Sequence, residues 1–251
     1  MDALFGYTGF VGSNILQFKK FDKLYRSTNV EEAKNMEFNE VFFCSLPGTK
    51  WLANKFPDDD KKILNQCINV ISTIKAKKFI LVSTIDVYED VRCGLDEDYD
   101  LTNSKPHNYG KHRLIFENFI KNKFDNYYIF RIPALFGRGL KKNVLYDLIH
   151  NHEVYKININ SIFQWYNLEW LEEHFNICFK NNIRICNLFS EPLETTIIAN
   201  LFNYKYNDIS SIPIKYNLKT KYCKFFNNYN GYICDKNHII DSIKNYINNF
   251  I

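Results

Sequence analysis

The glycine-rich turn near the N-terminus constrains the fold of this chain more than any other feature. A short apolar stretch at residues 1–5 runs directly into the segment GYTGFVG at residues 6–12. This order is typical of a buried strand, a tight turn and the start of a helix. Gly6 permits the turn, Gly9 lets a pyrophosphate approach the backbone, and Gly12 brings the helix close to the sheet. Helix N-termini attract phosphates, so the segment predicts dinucleotide binding, with a plain strand-turn-helix as the alternative.

The end of the predicted second strand, at residues 23–25, bears on which dinucleotide binds. Arg26 and Ser27 follow this strand, and no acidic residue comes before Glu31. Proteins that bind NAD usually place an acidic residue here for the ribose 2′-hydroxyl, whereas proteins that bind NADP place Arg or Ser. We therefore favour NADP(H), with NAD(H) as the alternative. The predicted cofactor contacts are Gly6, Thr8, Gly9, Phe10, Val11, Gly12, Arg26, Ser27, Ser45, Leu46 and Pro133.

Composition narrows the class of protein. With 251 residues, of which 46% are hydrophobic, the chain is long enough for a large core domain and a smaller lobe. Its net charge of +4 comes from scattered basic residues, which is too little for a nucleic-acid interface but suits a phosphate-bearing ligand. The seven cysteines include no C-x-x-C pair, which favours reduced thiols in a cytoplasmic protein, and we predict no metal site. No apolar run approaches about 18 residues and no export signal is recognised, so we expect neither membrane spanning nor export.

Hydrophobic periodicity predicts strands that alternate with helices. Strands are predicted at residues 1–5, 23–25, 40–44, 79–82, 127–132 and 184–188, and helices at residues 58–75, 109–124, 143–149, 169–179, 195–202 and 235–250. The alternation implies crossover connections, and therefore an α/β fold with a Rossmann-like, doubly wound parallel sheet. We place the dinucleotide-binding domain at residues 1–140 and a small C-terminal α+β substrate lobe at 141–251, some of whose elements return to the sheet. Residues 203–232 show no regular hydrophobic periodicity, so no helix or strand is predicted there.

Three polar segments fall where successive strands are predicted to end. They are VSTIDVY at residues 82–88, KPHNYGKHR at 105–113 and RIPALFGRG at 131–139. Ligands of parallel sheets bind at the carboxyl ends of the strands, so these segments are candidates for a site. Each has an ordinary alternative: a capped turn for the first, a packing tyrosine for the second, and a loop for the third.

Taken together and in this order, the glycine-rich turn and the three segments resemble the extended short-chain dehydrogenase/reductases. More narrowly, the chain is similar to the NAD-dependent epimerase/dehydratase family, which acts on nucleotide sugars. The resemblance covers residues 1–140 well and the rest in outline. Thr84 falls where the family has its active-site Ser or Thr, Tyr109 matches the catalytic Tyr of Y-G-x-x-K, and Glu117 matches a Glu that often follows.

Two positions depart from the family pattern. Arg113 stands where the family has the Lys of Y-G-x-x-K, and Ala134 stands where it has a substrate-holding Asn. The family's Lys lowers the pKa of the catalytic Tyr, which ordinarily is about 10, so that only about one phenol in a thousand is ionised at pH 7. Arg113 can supply a fixed positive charge one helical turn from Tyr109, but it does not readily release a proton. A proton relay through this position is therefore lost.

The resemblance implies hydride transfer between a nicotinamide and a sugar carbon. Tyr109 is then the general acid or base, Thr84 binds the same sugar oxygen, and Arg113 supports Tyr109. Asp86 is the fourth catalytic candidate, as an acid or base beside a keto group, with a turn-capping role as the alternative. Family dehydratases carry Asp then Glu after the Thr, whereas this chain has Ile85 and Asp86, which disfavours dehydration. For the substrate diphosphate the candidates are Arg138, Lys141 and Lys142, with a solvated loop as the alternative.

The leading interpretation is therefore an NAD(P)-dependent epimerase or 4-keto reductase acting on a nucleotide-activated sugar. The competing interpretation is a catalytically weak NAD(P)-binding sensor or partner protein of the same fold. Arg113 and Ala134 favour the sensor, whereas Thr84 and Tyr109 favour the enzyme. The expected partner is a nucleotide-sugar small molecule, with no nucleic acid and no membrane, and a homodimer is compatible with this class.

Overall fold

The chain divides into two units, and the first is built on a six-stranded parallel sheet. The computed structural model describes residues 1–204 and 211–250. The first unit comprises Met1–Asp90, Asp100–Arg131 and Cys178–Cys186, and the second comprises Val91–Tyr99, Ile132–Ile177 and Asn187–Ile251. The elements in chain order are β1 (Asp2–Phe5), α1 (Phe10–Ile15), β2 (Lys23–Tyr25), β3 (Glu37–Phe43), α2 (Lys50–Lys55), α3 (Pro57–Thr73), β4 (Lys75–Thr84), α4 (Asn108–Lys123), β5 (Tyr127–Ile132), β6 (Ala134–Phe136), α5 (Val144–His150), β7 (Ile162–Phe163), β8 (Trp165–Asn167), α6 (Leu171–Lys180), β9 (Ile185–Asn187), β10 (Leu193–Glu194), α7 (Thr195–Asn200) and α8 (Lys236–Phe250).

The strand order of the sheet places β1 at the point where the winding reverses. The order is β2-β1-β3-β4-β5-β9. The next strand in sequence, β2, therefore lies on one side of β1, and β3 lies on the other side. The register of β1 pairs Phe5 with Tyr25 of β2 and with Phe43 of β3. Ligands of doubly wound sheets bind outside the carboxyl ends of the strands at such a reversal, where the turn at Gly6 lies. The predicted Rossmann-like α/β sheet is confirmed.

Buried aromatic and branched side chains explain why these strands form a central sheet. Phe79 and Ile80 of β4 are fully buried, as expected for a strand that is covered on both faces. β4 begins four residues before the predicted strand, because its first half alternates exposed lysines with partly buried residues and carries little apolar signal. The helix α3 begins with Pro57 and three aspartates, which suit the N-terminal turn of a helix.

The second unit has its own core and two small sheets. β6 pairs in parallel with β8, and β7 pairs antiparallel with β10. The unit is built around Phe136, Trp165 and the buried face of α8, which includes Ile239 and Ile243. β6 was not predicted, since three residues after a proline give no periodic signal. Part of the segment predicted to be irregular, residues 205–210, lies outside the described residues.

Candidate active site

The glycine-rich turn has the backbone geometry that the sequence predicts. Gly6 has φ +87°, in the left-handed region that favours glycine, and a Cβ there would lie 2.6 Å from the carbonyl oxygen of Cys44. A Cβ on Gly12 would lie 2.2 Å from the carbonyl oxygen of Gly6, so only glycine allows α1 this close to the turn. A Cβ on Gly9 would meet only the Gly6 carbonyl oxygen, at 3.2 Å. The space beside Gly9 is therefore open, as a bound pyrophosphate would require.

The other predicted cofactor residues of the first unit lie at the ends of β2 and β3. The Gly6 N–H donates to the carbonyl oxygen of Tyr25 at 2.7 Å, which brings the end of β2 and the following Arg26 beside the turn. Arg26 is exposed, and its Nε donates to the Thr28 hydroxyl at 2.9 Å. Ser45 and Leu46 follow β3 and are partly buried.

Thr84 and Tyr109 lie together at the carboxyl end of β4. The Thr84 hydroxyl is hydrogen-bonded to Tyr109, and it also accepts the Asp86 N–H at 3.2 Å and so caps the short 3₁₀ turn Ile85–Val87. Thr84 therefore has the capping role, and its catalytic role stays a prediction. Burial raises the pKa of the Tyr109 phenol above its ordinary value; the charge of Arg113 opposes this shift without reversing it. Tyr109 is consequently a phenol at neutral pH, ready to donate a proton.

A small cavity opens beside this pair. The cavity measures ≈ 50 Å³, so its lining rather than its size identifies it. Its walls are formed by Leu46 after β3, by Thr84 at the end of β4, and by Tyr109 and Arg113 on α4. Predicted cofactor and catalytic residues thus line one space in the first unit.

Gly110 allows α4 to approach the turn that carries Asp86. An added Cβ on Gly110 would lie 1.8 Å from the carbonyl oxygen of Asp86, closer than any real contact. The helix is fixed here by two further bonds, since the Tyr109 N–H donates to the Asn54 side chain at 2.9 Å and the Gly110 N–H donates to the His107 ring at 3.4 Å. The position of Tyr109 is therefore set by its backbone, independently of its hydroxyl.

Asp86 is buried and held in an ion pair. Its Oδ1 accepts a hydrogen bond from Lys50 Nζ at 2.7 Å and lies 3.4 Å from Nε2 of His107. Burial alone would raise the pKa of Asp86, but the hydrogen bond from His107 and the charge of Lys50 outweigh it and bring the pKa to about 2. Asp86 is therefore a fixed anion at neutral pH and a poor resting proton donor.

Arg113 is buried against α3 instead of extending freely from α4. Its guanidinium donates to the Asp60 carboxylate and to the carbonyl oxygen of Pro47, and it lies 4.1 Å from the centre of the Tyr109 ring. Asp60 also contacts Nδ1 of His112 at 2.7 Å. Arg113 thus lies beside Tyr109 as predicted. It contacts the face of the ring, and its charge is paired with the Asp60 carboxylate.

Glu117 anchors α4 to the neighbouring strands. Its carboxylate is fully buried and accepts hydrogen bonds from Arg131 Nη2 at 2.7 Å and from the Ser83 hydroxyl at 2.5 Å. Arg131 also donates to the Tyr88 hydroxyl at 2.9 Å. The network ties α4 to the ends of β4 and β5, so Glu117 positions the elements that carry the site.

The remaining predicted residues belong to the second unit. Pro133 is half-buried and precedes β6, while Arg138, Lys141 and Lys142 are exposed between β6 and α5. Their predicted roles toward the cofactor and the substrate diphosphate stay predictions.

Three residues of the site were missed from the sequence: Lys50, Asp60 and His107. Lys50 lies on α2, a six-residue helix with no periodic apolar signal. Asp60 was taken as part of an acidic helix start, and only its burial at 6% exposed distinguishes it from Asp58 and Asp59. His107 sits inside the quoted motif, and its place two residues before Tyr109 was the available signal.

Two classes of site are not found among the residues that the structure describes. Residues 1–204 and 211–250 contain no cluster of three or more His, Cys, Asp or Glu side chains that could hold a metal ion. Within the same ranges, no helix is both long and apolar enough to cross a membrane.

Comparison with known proteins rests on structure. No protein-family model and no curated protein matches this sequence. Solved structures do match. A dTDP-4-dehydrorhamnose reductase from Bacillus anthracis, in complex with NADP, has a TM-score of 0.74 at 14% identity and covers 100% of this chain and 99% of its own. A dTDP-4-dehydrorhamnose reductase from Clostridium acetobutylicum has a TM-score of 0.71 at 17% identity, with 99% of both chains covered.

An epimerase has the same architecture. The UDP-glucuronic acid 4-epimerase of Bacillus cereus, in complex with UDP-glucuronic acid and NAD, has a TM-score of 0.66 at 15% identity over 100% of both chains. Identities this low establish the fold and leave the activity to the site's own chemistry. The chain therefore has the Rossmann-like fold that these nucleotide-sugar reductases and this epimerase share.

Proposed function

We propose that this chain is an NAD(P)-dependent enzyme that reduces or epimerises a nucleotide-activated keto sugar. The observation that carries the proposal is the hydrogen-bonded pair of Thr84 and Tyr109 on the cavity at the carboxyl end of β4. A phenol with a raised pKa can give its proton to a ketone oxygen as a hydride reaches the carbon, and Thr84 can hold the same oxygen. Proton donation by Tyr109 favours the reductive direction.

The glycine-rich turn fits a nicotinamide dinucleotide. The open space beside Gly9 and the tight packing at Gly6 and Gly12 suit a pyrophosphate on the backbone. Arg26 would bind a 2′-phosphate, and Ser45 and Leu46 would flank the cofactor beyond the turn. When bound, the cofactor supplies the hydride. NADP(H) is favoured over NAD(H) because a guanidinium pairs well with a phosphate.

The substrate class is inferred from the fold and from charge. The matched structures are named for dTDP- and UDP-sugars, and we extend that class to this chain. Arg138, Lys141 and Lys142 would bind the diphosphate as exposed cations. A dehydratase is disfavoured because Ile85, a buried apolar residue, occupies the place of the first of the two carboxylates.

A Tyr109→Phe variant tests the proposal. The probes are dTDP-4-dehydrorhamnose with NADPH, followed by loss of the reduced nicotinamide absorbance, and UDP-glucuronic acid with NAD, followed by NMR. Phenylalanine keeps the ring contact with Arg113 and removes the hydroxyl, so turnover should fall by about 10² to 10⁴ while unfolding stability changes little. Tyr229→Phe, at an exposed position, is the matched control. Equal turnover in the Tyr109→Phe variant and the wild type would refute the assigned role.

A cofactor-binding sensor is the second candidate, and the position of Arg113 favours it. Its guanidinium donates to Asp60 and to Pro47, so it is less available to a cofactor than the family's Lys. A sensor should bind NADPH in calorimetry yet turn over neither probe. An enzyme should do both.

A further inference from the structure

A chain of polar contacts leads from Tyr109 to the surface of the first unit. Tyr109 is hydrogen-bonded to Thr84, whose hydroxyl donates to Asp86 Oδ2 at 3.5 Å. The other carboxylate oxygen, Oδ1, accepts from Lys50 Nζ at 2.7 Å. The Lys50 side chain is 37% exposed, whereas that of Asp86 is 8% exposed. This series of polar contacts therefore has the proposed proton donor, Tyr109, at one end and a side chain in contact with water, Lys50, at the other.

The proposed reaction creates a need for such a route. Each net reduction of a ketone removes one proton from Tyr109, and the phenol must recover it before the next turnover. Arg113 cannot return this proton, because a guanidinium stays protonated in proteins. Its donors are in any case directed at Asp60 and Pro47.

We propose that Lys50 returns the proton to Tyr109 through Asp86 and Thr84. This inference rests on the proposed function. The Lys50 ammonium gives a proton to Oδ1 of the Asp86 carboxylate, and the carboxyl group so formed rotates to bring this proton to Thr84. The Thr84 oxygen accepts it as the Thr84 hydroxyl gives its own proton to the Tyr109 phenolate. The neutral Lys50 amine then takes a proton from water. One O–H or N–H bond breaks for each one that forms, and nothing is oxidised or reduced.

The Tyr109 phenolate is a strong acceptor for this proton, because burial raises the pKa of the phenol above its ordinary value. Because the pKa of Asp86 is about 2, its carboxyl form exists at neutral pH only for the short time in which the proton passes. The Thr84–Asp86 contact is the longest link, and catalytic hydrogen bonds often tighten when substrate binds.

His107 holds Asp86 in place without offering a second route. Its Nδ1 accepts the Gly110 N–H as the cap of α4, which assigns the ring hydrogen to Nε2, facing Asp86. Accepting another proton at Nδ1 would break that cap. Lys50 is therefore the better proton source for Asp86.

The relay also bears on the class of reaction. An epimerase that oxidises and then reduces the same carbon returns the proton to its Tyr within one cycle. A net reductase consumes a proton in every cycle and needs a return route. A dedicated relay accordingly points to net reduction of a keto sugar.

Lys50→Arg separates proton transfer from charge. Arginine can keep the ion pair with Asp86 but does not release a proton. With dTDP-4-dehydrorhamnose and NADPH, rapid mixing should give a first turnover within about twofold of wild type, because Tyr109 starts protonated in both. The steady-state rate should fall about tenfold or more, and added imidazole buffer should restore part of it. Lys55→Arg, on the same helix and exposed, should match wild type in both phases.

Several results would overturn the relay. A wild-type steady-state rate in Lys50→Arg refutes it, and so does an equal loss in both phases, which would mean that Lys50 acts by charge or placement. If Lys50→Arg does not fold, Asp86→Asn decides, since a carboxamide cannot carry the proton: an unchanged steady-state rate refutes the relay and a loss confined to it supports the relay. If wild type reduces no probe, the proposed function fails and the relay fails with it; if wild type is active and the variants match it, only the relay fails.

Discussion

Gly110→Ala should disturb the candidate active site, because Gly110 lies against the backbone of Asp86. The new Cβ would lie 1.8 Å from the carbonyl oxygen of Asp86 and 2.8 Å from its carbonyl carbon. Both are backbone atoms, so no side chain can swing away. The contact must open by more than about 1 Å to reach the 3.0 Å that real Cβ atoms keep. Alanine in a helix is otherwise favoured over glycine by about 0.5–1 kcal/mol. Overpacking costs about 1–3 kcal/mol, so we expect a net loss of about 1–2 kcal/mol in unfolding free energy.

The same shift should reduce turnover beyond its effect on stability. Tyr109 lies on α4, which must move away from the turn Ile85–Val87. Asp86 lies in that turn and Thr84 caps it, so the distance from Tyr109 to both residues would increase. A misplacement of about 1 Å at a catalytic site can cost about 10²-fold in rate. Urea unfolding measures the first effect, and steady-state kinetics at a temperature where the variant is fully folded measures the second.

Gly48→Ala is the matched control for this substitution. Nothing lies within 4 Å of an added Cβ on Gly48, and its backbone is outside the left-handed region. Its stability and turnover should stay near the wild-type values. If Gly110→Ala also stays within about 0.5 kcal/mol of wild type with unchanged turnover, the close approach of α4 to Asp86 is wrong.

Three further predictions follow from charges. Arg26→Ala should weaken NADPH binding in calorimetry and leave NADH binding nearly unchanged; a wild type that prefers NADH tenfold, about 1.4 kcal/mol, would contradict the NADP assignment. Glu117→Gln should lower the unfolding free energy by about 3–5 kcal/mol in urea titrations, because Arg131 would be left buried without its counter-charge; a loss under about 1 kcal/mol would show that the pair is dispensable. His174→Gln should weaken the dependence of the unfolding free energy on pH between pH 6.5 and pH 3. Burial lowers the pKa of His174 from 6.5 to about 3, so below pH 6.5 only the unfolded chain gains this proton and stability falls as pH drops toward 3; an unchanged slope between wild type and variant would contradict this.

Much of the first unit could be predicted because its signals are local. The glycines of the first turn, the apolar run of β4 and the helical spacing in α3 each reflect a requirement set by neighbours in sequence. β2 and β5 match their predicted bounds, residues 23–25 and 127–132. Six-residue α2 and three-residue β6 were missed, because elements this short contain too few residues for a period to emerge.

The partners of the site residues could not be predicted, because they come from distant parts of the chain. Asp86 was predicted as a candidate acid or base, and nothing near it in sequence reveals that Lys50, on another element, forms an ion pair with it. Asp60 is one of three consecutive aspartates, and only the packing of α3 against α4 decides which of them is buried. Long-range pairing of this kind leaves no periodic pattern in a single sequence.

The arginine at position 113 and the aspartate at position 60 are best understood as one feature. A buried guanidinium needs several acceptors, and Arg113 has the Asp60 carboxylate and the Pro47 carbonyl oxygen in reach. A lysine ammonium is a point charge on a thinner stem, so it could not contact both acceptors in the plane that also covers the Tyr109 ring at 4.1 Å. Burial raises the pKa of Tyr109 more than the guanidinium charge lowers it, and the Asp60 carboxylate offsets part of that charge. A phenol that stays protonated is suited to donating a proton to a ketone, and it must then be reprotonated from a residue other than Arg113.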